Sequence, residues 1–268
     1  MRLSIIGTGK MGSALATGLS KGTALRPKDI LLYDHSSSKA RALACSIGAR
    51  AAGSAKDAAK QSDIIILAVK PDAVADALAQ MHSQLAGKLV VSIAAAVPLK
   101  FLESHTPSSC RIAAAMPNIP MQVRKGMCYY CLGKRATRRD AALLHSIFSS
   151  VGHAVEVKNE KLLDAAIITG SGNAFIYLII GAMAKAGESA GLSKRAALQL
   201  AASAAEGAGA MAQESGLEPE ALISLVATKK GITEKGLKLL KASGVHHSFT
   251  RAMSACIKHA AKKRRHFR

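Results

Sequence analysis

Short apolar runs alternate with helical patterns along residues 1–157. The runs LSIIG, DILLYD, DIIILAV, KLVVSIAAA and CRIAAAM are rich in β-branched residues, and stretches with apolar residues at helical spacing separate them. Strands that alternate with helices are typical of a parallel sheet with crossover helices. The runs GMCYYCLG and GHAVEVK predict further strands on either side of a helix in ATRRDAALLHSIFSSV. This part of the chain is therefore predicted to be an α/β domain.

Residues 158–268 have a different pattern, with continuous helical periodicity in AFIYLIIGAMAKAGESAGL and KRAALQLAASAAEGAGAMAQES. Gly191 and Gly216 lie where helix C-caps are expected, and Ser171 is predicted to be a helix N-cap. Alanine-rich helices bury little area each and gain most by packing in a bundle or against another subunit. We therefore predict an all-helical dimerisation domain for residues 158–268.

The composition indicates a globular protein, because 49% of the 268 residues are hydrophobic and 20% are charged. By the sequence alone, no apolar run is expected to approach the ~18 residues that a membrane span needs, and the N-terminus resembles a strand more than a signal peptide. A soluble, cytoplasmic protein without a membrane partner is expected. Cys128 and Cys131 form a CxxC in a strand-like run, without a second pair of ligands, and are predicted to be core residues. No metal site is predicted.

The net charge of +20 favours anionic partners. The last residues, KHAAKKRRHFR, are strongly basic and are predicted to be the solvated end of a helix. Aromatic residues make up only 3% of the chain and tryptophan is absent, so the sequence offers no stacking platform for bases. Nucleic acid is therefore not the expected partner.

The segment GTGKMG, Gly7–Gly12, follows the first predicted strand and opens a helix. This context is the one that a dinucleotide-binding fingerprint of Rossmann type requires. Gly7 permits a tight turn, Gly9 lets a pyrophosphate approach the backbone, and Gly12 lets the helix lie close to the strand. The remaining candidate residues of the turn are Thr8, Lys10 and Met11.

Asp34 ends the second predicted strand, where an acidic residue can accept hydrogen bonds from the ribose hydroxyls of NAD. His35 and Ser36 follow it and are included in the candidate cofactor site. Nearby basic and hydroxyl side chains are suited to the 2′-phosphate of NADP instead; they are Lys10, Ser36, Ser37, Lys39 and Arg41. The choice between NADPH and NADH stays open.

Further motifs make the chain resemble the Δ1-pyrroline-5-carboxylate reductase family over nearly its whole length. They are Ala68-Val69-Lys70-Pro71, Ser92–Ala96, Met116–Pro120, Thr169–Phe175 and the loop TKKGIT, Thr228–Thr233. The resemblance implies a Rossmann domain, a helical domain that interlocks with a second subunit, and reduction of a cyclic imine with NADPH or NADH. A homodimer, or a higher homo-oligomer, is implied as well.

The resemblance also implies the roles of the site residues. Ala68–Pro71 and Ala94–Ala95 are expected on the nicotinamide side, and Asn118 follows a strand end where ligands bind in open α/β sheets. In the loop, Thr233 is expected to bond the ring nitrogen of the substrate. The substrate carboxylate is expected to bind backbone N–H groups and hydroxyls of the same loop, whose candidate residues are Thr228, Lys229, Lys230, Gly231 and Ile232.

The sequence departs from the family pattern at several positions. Ala96 replaces a glycine, Ile119 a threonine, Asn173 a proline, Phe175 a tyrosine, and Lys229-Lys230 a Pro-Gly pair. The last change removes a residue tolerant of positive φ and a residue that stiffens the turn. Lysines at a helix N-terminus oppose the macrodipole, so this pair either is a solvated charge pair or attracts an anion.

The sequence leaves two alternatives to pyrroline-5-carboxylate reduction open. One is a related reductase for a different cyclic imine or a small hydroxy acid; the latter would need a catalytic lysine, and neither Lys158 nor Lys161 has a clear motif around it. The other is a noncatalytic nucleotide- or nucleic-acid-binding protein that uses the basic tail.

Overall fold

The computed structural model describes residues 1–267, without the side chain of Arg265. The chain divides into two compact units. The first unit contains Met1–Gly170 and Ile257–Arg268, and the second unit contains Ser171–Cys256. The domain boundary predicted between residues 157 and 158 stays a prediction.

The first unit is built on one sheet of eight strands in the order β3-β2-β1-β4-β5-β6-β7-β8. The strands are β1 Leu3–Ile6, β2 Ile30–Tyr33, β3 Arg50–Ala51, β4 Ile64–Leu67, β5 Leu89–Ser92, β6 Arg111–Met116, β7 Gly126–Leu132 and β8 Gly152–Glu156. All the strands predicted from the apolar runs are present. The edge strand β3 was not predicted, because two exposed residues carry no apolar pattern.

The first six strands pair in parallel, whereas β7 runs antiparallel to β6 and parallel to β8. The reversal follows from the connections. Only a short 3₁₀ segment, Ile119–Val123, lies between β6 and β7, and a parallel crossover needs a dozen residues or more. The Rossmann-type parallel sheet predicted from the strand–helix alternation is therefore present, and the β6–β7 pair is its one antiparallel pairing among the described strands.

Both faces of the sheet are buried, which explains the continuous apolar runs in its central strands. Ile64 and Ile66 contribute to one core cluster, and Ile65 and Leu67 to the cluster on the opposite face. Helices cover both faces. Those that precede residue 161 are α1 Lys10–Lys21, α2 Ser37–Ile47, α3 Ala55–Lys60, α4 Val74–Met81, α5 Leu99–Ser104 and α6 Arg138–Ser149.

The CxxC residues Cys128 and Cys131 are both buried in strand β7. Because they are three positions apart, they point to different faces and pack in different core clusters. Burial raises the pKa of both thiols. They are core residues, as predicted. Among the described residues, no group of three or more His, Cys, Asp or Glu side chains is placed to hold a metal ion.

The remainder of the chain is helical. Its helices are α7 Lys161–Ala165, α8 Ile167–Ser189, α9 Lys194–Glu214, α10 Pro219–Val226, α11 Ile232–Ala242 and α12 Val245–Arg264. Gly191 and Gly216 have positive φ after α8 and α9, as expected for residues that end helices. Ser171 lies inside α8 rather than at its N-cap, so that prediction is wrong.

One helical segment, Lys161–Ser189, is long and apolar enough to cross a membrane by length and composition, with a mean hydropathy of 1.6. The expectation that no segment approaches this limit is corrected, because small and apolar residues keep the mean high across interrupting polar positions. Length and composition alone are weak evidence for a span. An apolar helix that packs against another helix passes the same criterion.

The basic C-terminal segment is not wholly solvated, contrary to the sequence-based expectation. The side chain of Arg264 is only 14% exposed, and its guanidinium pairs with Asp164, with Nη2–Oδ1 at 2.7 Å and Nε–Oδ2 at 3.3 Å. The ring of Phe267 meets that of Phe101 edge to face, with centroids 5.1 Å apart. Arg268 lies outside the described residues.

Candidate active site

The glycine turn between β1 and α1 has the geometry that its sequence predicts. Gly7 has a φ of +104°, and its N–H donates to Tyr33 O at 2.7 Å. A Cβ at Gly7 would lie 2.6 Å from Ala68 O, and a Cβ at Gly12 would lie 2.0 Å from Gly7 O. At Gly9, by contrast, a Cβ would meet no atom within 4 Å. The fold therefore requires two of these glycines, while Gly9 leaves open space next to the backbone.

The open space lies at the N-terminus of α1, whose N-cap is Gly9 with no side-chain cap. The first N–H groups of a helix have no intrahelical partner, and they favour anions. Lys10 is exposed at the same helix end, and Met11 is half-buried beneath it. These features fit the pyrophosphate of a dinucleotide.

Asp34 links the end of β2 to the glycine turn. Its Oδ2 accepts hydrogen bonds from Thr8 N at 2.7 Å and Thr8 Oγ1 at 3.0 Å, and its Oδ1 accepts one from Ser36 N at 2.9 Å. Burial alone would raise the pKa of Asp34, but these hydrogen bonds outweigh it, so the pKa lies below its usual value. The carboxylate is therefore ionised at neutral pH. His35 is exposed beside it.

Thr8 is a contributor that sequence reasoning placed in the site without a role. Its side chain is buried, and its backbone O accepts a hydrogen bond from Ser13 Oγ at 2.7 Å. Ser13 was not predicted at all. A serine in the first turn of a helix that follows a glycine turn was the available signal, since such hydroxyls bond to nearby backbone groups.

The predicted nicotinamide-side segments follow neighbouring parallel strands. Ala68–Pro71 follows β4, and Ala94–Ala95 lies just beyond β5. Ala68 N donates to Ile6 O at 2.8 Å, so the chain leaves β4 directly beside the end of β1. The carboxyl ends of these strands therefore lie at one edge of the sheet, where open α/β sheets bind ligands. Lys70 and Ala95 are exposed there, whereas Val69 is half-buried.

Asn118 lies beyond the end of β6 at the same edge and is 6% exposed. Its Oδ1 accepts a hydrogen bond from Met127 N at 2.8 Å, and its Nδ2 donates to Thr169 O at 3.1 Å. The amide thus joins the start of β7 to the first turn of α8. This bridge is a structural role that the sequence did not predict, and the contact of Asn118 with a ligand stays a prediction.

The loop Thr228–Thr233 belongs to the second unit and joins α10 to α11. Gly231 is the N-cap of α11, and its N–H donates to Thr228 O at 2.9 Å. A Cβ at this position would lie 2.4 Å from Thr228 Oγ1 and 2.9 Å from Thr228 O, so only glycine fits without a shift. Lys229, Ile232 and Thr233 are exposed. The loop thus presents free backbone N–H groups and hydroxyls at a helix N-terminus.

Two of the departures from the family pattern occupy the left-handed region of backbone conformation. Ala96 has a φ of +64° and Lys230 has a φ of +63°, and the family has glycine at both positions. Lys230 N donates to Glu234 Oε2 at 2.8 Å, which closes the loop onto the first turn of α11. That hydrogen bond lowers the pKa of Glu234 and is joined by the charge of Lys238.

Glu234 was missed by sequence reasoning, although a signal was present. An acidic residue at the third position of a helix commonly reaches back to a backbone N–H at the helix start. Gly231 at the N-cap and Glu234 three residues later have this spacing.

Comparison with known proteins finds a matching family for each of two parts of the chain. Residues 160–263 match a family described as pyrroline-5-carboxylate reductase dimerisation, and residues 2–96 match one described as NADP oxidoreductase, coenzyme F420-dependent. The chain is 37% identical to a pyrroline-5-carboxylate reductase of Methanosarcina acetivorans over 254 residues, which is 94% of each chain. It is 33% identical to that of Escherichia coli over 262 residues, 97% of each chain.

A solved structure extends the similarity to three dimensions. The pyrroline carboxylate reductase of Plasmodium falciparum with NADP bound superposes with a TM-score of 0.88 at 28% identity, over 98% of each chain. This chain belongs to the pyrroline-5-carboxylate reductase family.

Proposed function

We propose that this chain reduces Δ1-pyrroline-5-carboxylate to L-proline with NADPH or NADH. The observation that carries the proposal is the combination of the glycine turn, with its open position at Gly9, and the loop Thr228–Thr233 at the start of α11. Relatives named for this activity match along almost the whole chain. The N–H groups at the start of α1 would hold the pyrophosphate, and Asp34 or the residues beside it would contact the adenosine ribose.

The bound dinucleotide supplies a hydride to the imine carbon. The protonated imine is already an electrophile, so the protein need not supply a strong acid. Its main contribution is orientation, because a fixed geometry between two reactants removes several kcal/mol from a barrier. Ala68–Pro71 and Ala94–Ala95 are proposed to hold the reacting end of the dinucleotide.

The loop is proposed to hold the substrate at both of its polar groups. The N–H group of Ile232 and Thr228 Oγ1 bind the carboxylate, and Thr233 Oγ1 hydrogen-bonds the ring nitrogen. The Gly231 N–H, which the sequence also suggested for the carboxylate, already donates to Thr228 O at 2.9 Å. Lys229 and Lys230 add positive charge at the same helix end, both with exposed side chains. This geometry favours a small anionic imine over a neutral one, because a charge-assisted hydrogen bond is worth ~1.5–3 kcal/mol.

A homodimer is proposed as the working state, with a higher oligomer as an extension of it. Residues 160–263 match the dimerisation family, and the second unit leaves many large apolar side chains exposed. Examples are Ile176, Tyr177, Leu178, Leu198, Leu200, Met211, Leu225, Val226 and Leu239. An exposed apolar surface of this kind marks a protein or membrane contact. We propose the second subunit as its partner and a cytoplasmic location, with no nucleic-acid partner.

A related reductase with a shifted substrate is the second candidate. Lys229 and Lys230 favour it, since they replace the Pro-Gly pair of the family at the proposed carboxylate site. A larger or more highly charged carboxylate on the imine would suit two additional ammonium groups.

The decisive experiment measures the oxidation of NADPH and of NADH with pyrroline-5-carboxylate, for the wild type and for Thr233→Val. The wild type is expected to turn over with at least one of the two cofactors. Loss of the hydroxyl should lower kcat/KM roughly ten- to hundredfold, the value of a hydrogen bond to a charged group. Thr23→Val, in an exposed loop beyond the far end of α1, is the matched control.

Each part of the proposal has its own contradicting result. Equal turnover by the wild type and Thr233→Val would remove the role of Thr233. An absence of turnover by the wild type with either cofactor would remove the substrate assignment. A panel of other cyclic imino acids, assayed in parallel, would then identify a shifted substrate.

A further inference from the structure

The C-terminal segment of the first unit is anchored rather than free. Besides its bidentate pair with Asp164, Arg264 places Nη1 3.5 Å from Glu160 Oε2. The same carboxylate oxygen accepts a hydrogen bond from Leu99 N at 2.7 Å, at the start of α5. Phe267 packs against the core cluster beneath α5. The ion pairs of Arg264 with Asp164 and Glu160, together with the ring contact of Phe267, therefore fix the end of α12 against the sheet of the first unit.

This anchoring places basic side chains around an open cleft of about 740 Å³ at the edge of the sheet. The cleft is lined by Lys70, Pro71, Asp72, Ala95, His259, Lys262, Lys263, His266 and Phe267. The lining thus contains three lysines and two histidines but only one acidic residue, Asp72. All of these residues belong to the first unit.

A purely structural explanation accounts for only part of this charge. Basic residues in the last turn of a helix are favourable with its macrodipole, and Arg264 has acidic partners. Lys262 and Lys263 are exposed, and among the residues that the structure describes no acidic group forms an ion pair with either of them. Their repulsion in one cleft with Lys70 would be relieved by an anion.

We propose that this cleft binds a compact polyphosphate anion. The cleft has the volume of a small-molecule site, and its ammonium groups come from two separate parts of the chain, the loop after β4 and the end of α12. Phosphate chains carry several charges within a few ångströms, so they can engage three lysines at once. A monocarboxylate such as a cyclic imino acid has too little charge to do so. The ligand is either free polyphosphate or the phosphate chain of a nucleotide.

Binding in the cleft has a consequence for catalysis, and this step rests on the proposed function. Lys70, Pro71 and Ala95 belong to the segments assigned to the reacting end of the dinucleotide. A polyphosphate beside them competes with the cofactor or displaces the loops that contact it. The cleft would therefore act as an inhibitory site that raises the KM for NADPH.

Calorimetric titration of the full chain with inorganic tripolyphosphate tests the site without requiring turnover. Lys262→Gln/Lys263→Gln should raise the dissociation constant at least tenfold, because each lost charge-assisted contact is worth about a factor of ten. The matched control is Lys56→Gln/Lys60→Gln, which removes two exposed charges from α3. The dissociation constant of this control variant should stay within about twofold of the wild-type value, since screened charges outside the site contribute little.

The dinucleotide turn is a competing site for the same probe, and Gly9→Val separates the two. Binding that survives in Gly9→Val and falls in Lys262→Gln/Lys263→Gln supports the cleft. Binding that is lost in Gly9→Val and kept in the lysine variant overturns it, as does an equal loss in the control pair. Titration with ATP distinguishes the sources: affinity equal to that of tripolyphosphate indicates the phosphate chain alone, and tighter binding indicates a nucleotide.

The inhibitory effect is measured separately. Tripolyphosphate should raise the KM for NADPH of the wild type severalfold and have little effect on Lys262→Gln/Lys263→Gln. Equal inhibition of both proteins would overturn the link to catalysis. If the wild type shows no reductase activity, the proposed function fails while the titration still reports on the cleft.

Discussion

The glycine turn of the first unit and the loop Thr228–Thr233 of the second unit perform the same structural task. Each begins a helix with a glycine N-cap in an extended conformation: Gly9 has φ −69° and ψ −172°, and Gly231 has φ −78° and ψ 169°. Neither cap has a side-chain hydrogen bond. Both therefore leave N–H groups free for an anion.

The two segments differ in what requires their glycines. At Gly9 a Cβ would meet open space, so the fold tolerates a side chain and only the proposed dinucleotide would exclude it. At Gly231 a Cβ would collide with Thr228, so the loop itself excludes it. Each segment also contains one residue with positive φ. In the glycine turn this residue is a glycine, Gly7, whereas in the loop it is a lysine, Lys230. The glycine turn is thus conformationally relaxed, while the loop Thr228–Thr233 carries strain at Lys230.

The largest expected effect is on the KM for NADPH, at Gly9, where a side chain would block the proposed cofactor without disturbing the fold. Gly9→Val should raise the KM for NADPH on the order of a hundredfold or more, because it displaces a pyrophosphate from at least two charge-assisted hydrogen bonds of ~1.5–3 kcal/mol each. Steady-state kinetics measures this effect. Thermal denaturation should show a Tm close to that of the wild type.

Gly53→Val is the matched control for this prediction. Gly53 is an exposed loop glycine whose Cβ would also meet no atom within 4 Å. The same gain of an isopropyl group there should leave the KM unchanged. A Gly9→Val variant with normal KM would show that the cofactor does not approach this backbone position.

The turn was predictable from sequence because each of its constraints is local. Gly7, Gly9 and Gly12 act within one strand–helix junction, and the spacing of the motif encodes their roles. The strands of the central sheet were predictable for a similar reason: both faces are buried, so the sequence contains unbroken apolar runs.

Features that depend on distant partners were not predictable. The side chain of Asn118 bridges Met127 and Thr169, and that of Arg264 pairs with Asp164, a residue 100 positions away. A basic tail gives no local signal for such a partner, so its sequence pattern indicated a solvated helix end. The reversal of β7 differs from these features, because the short connection between β6 and β7 was a local signal that the sequence-based prediction did not use.

An intermediate effect is expected from the lysines of the loop. Lys229→Ala and Lys230→Ala each remove one positive charge from the proposed carboxylate site. The variant that loses the engaged lysine should raise the KM for pyrroline-5-carboxylate roughly tenfold, the value of one charge-assisted hydrogen bond, with kcat unchanged. Initial-rate kinetics at saturating cofactor measures the change.

Lys235→Ala provides the matched control, since Lys235 is an exposed lysine in the first turn of the same helix. Its loss should leave the KM within about twofold. An unchanged KM in both Lys229→Ala and Lys230→Ala would mean that the two lysines are a solvated charge pair. The glycine turn and the loop would then share only their free backbone N–H groups as a means of binding an anion.

The smallest expected effect is on the free energy of unfolding, from the strained backbone conformation of Lys230. Lys230→Gly relieves a left-handed conformation that costs a non-glycine residue roughly 1–2 kcal/mol, offset by about 0.4–1 kcal/mol of extra backbone entropy in the unfolded chain. The free energy of unfolding should rise by about 0.5–1 kcal/mol in denaturant titrations at fixed protein concentration. Ala96→Gly should give a change near zero, because Ala96 is buried and loses about 0.8 kcal/mol of methyl burial.

Lys229→Gly separates strain from the general effect of a glycine at this loop. Lys229 is not among the positive-φ residues, so its replacement should only add unfolded-state entropy and lower the free energy of unfolding by about 0.4–1 kcal/mol. The two neighbouring substitutions are thus expected to have opposite signs. If Lys230→Gly and Lys229→Gly destabilise the protein equally, the left-handed conformation of Lys230 has no free-energy cost. The loop Thr228–Thr233 is then as relaxed as the glycine turn.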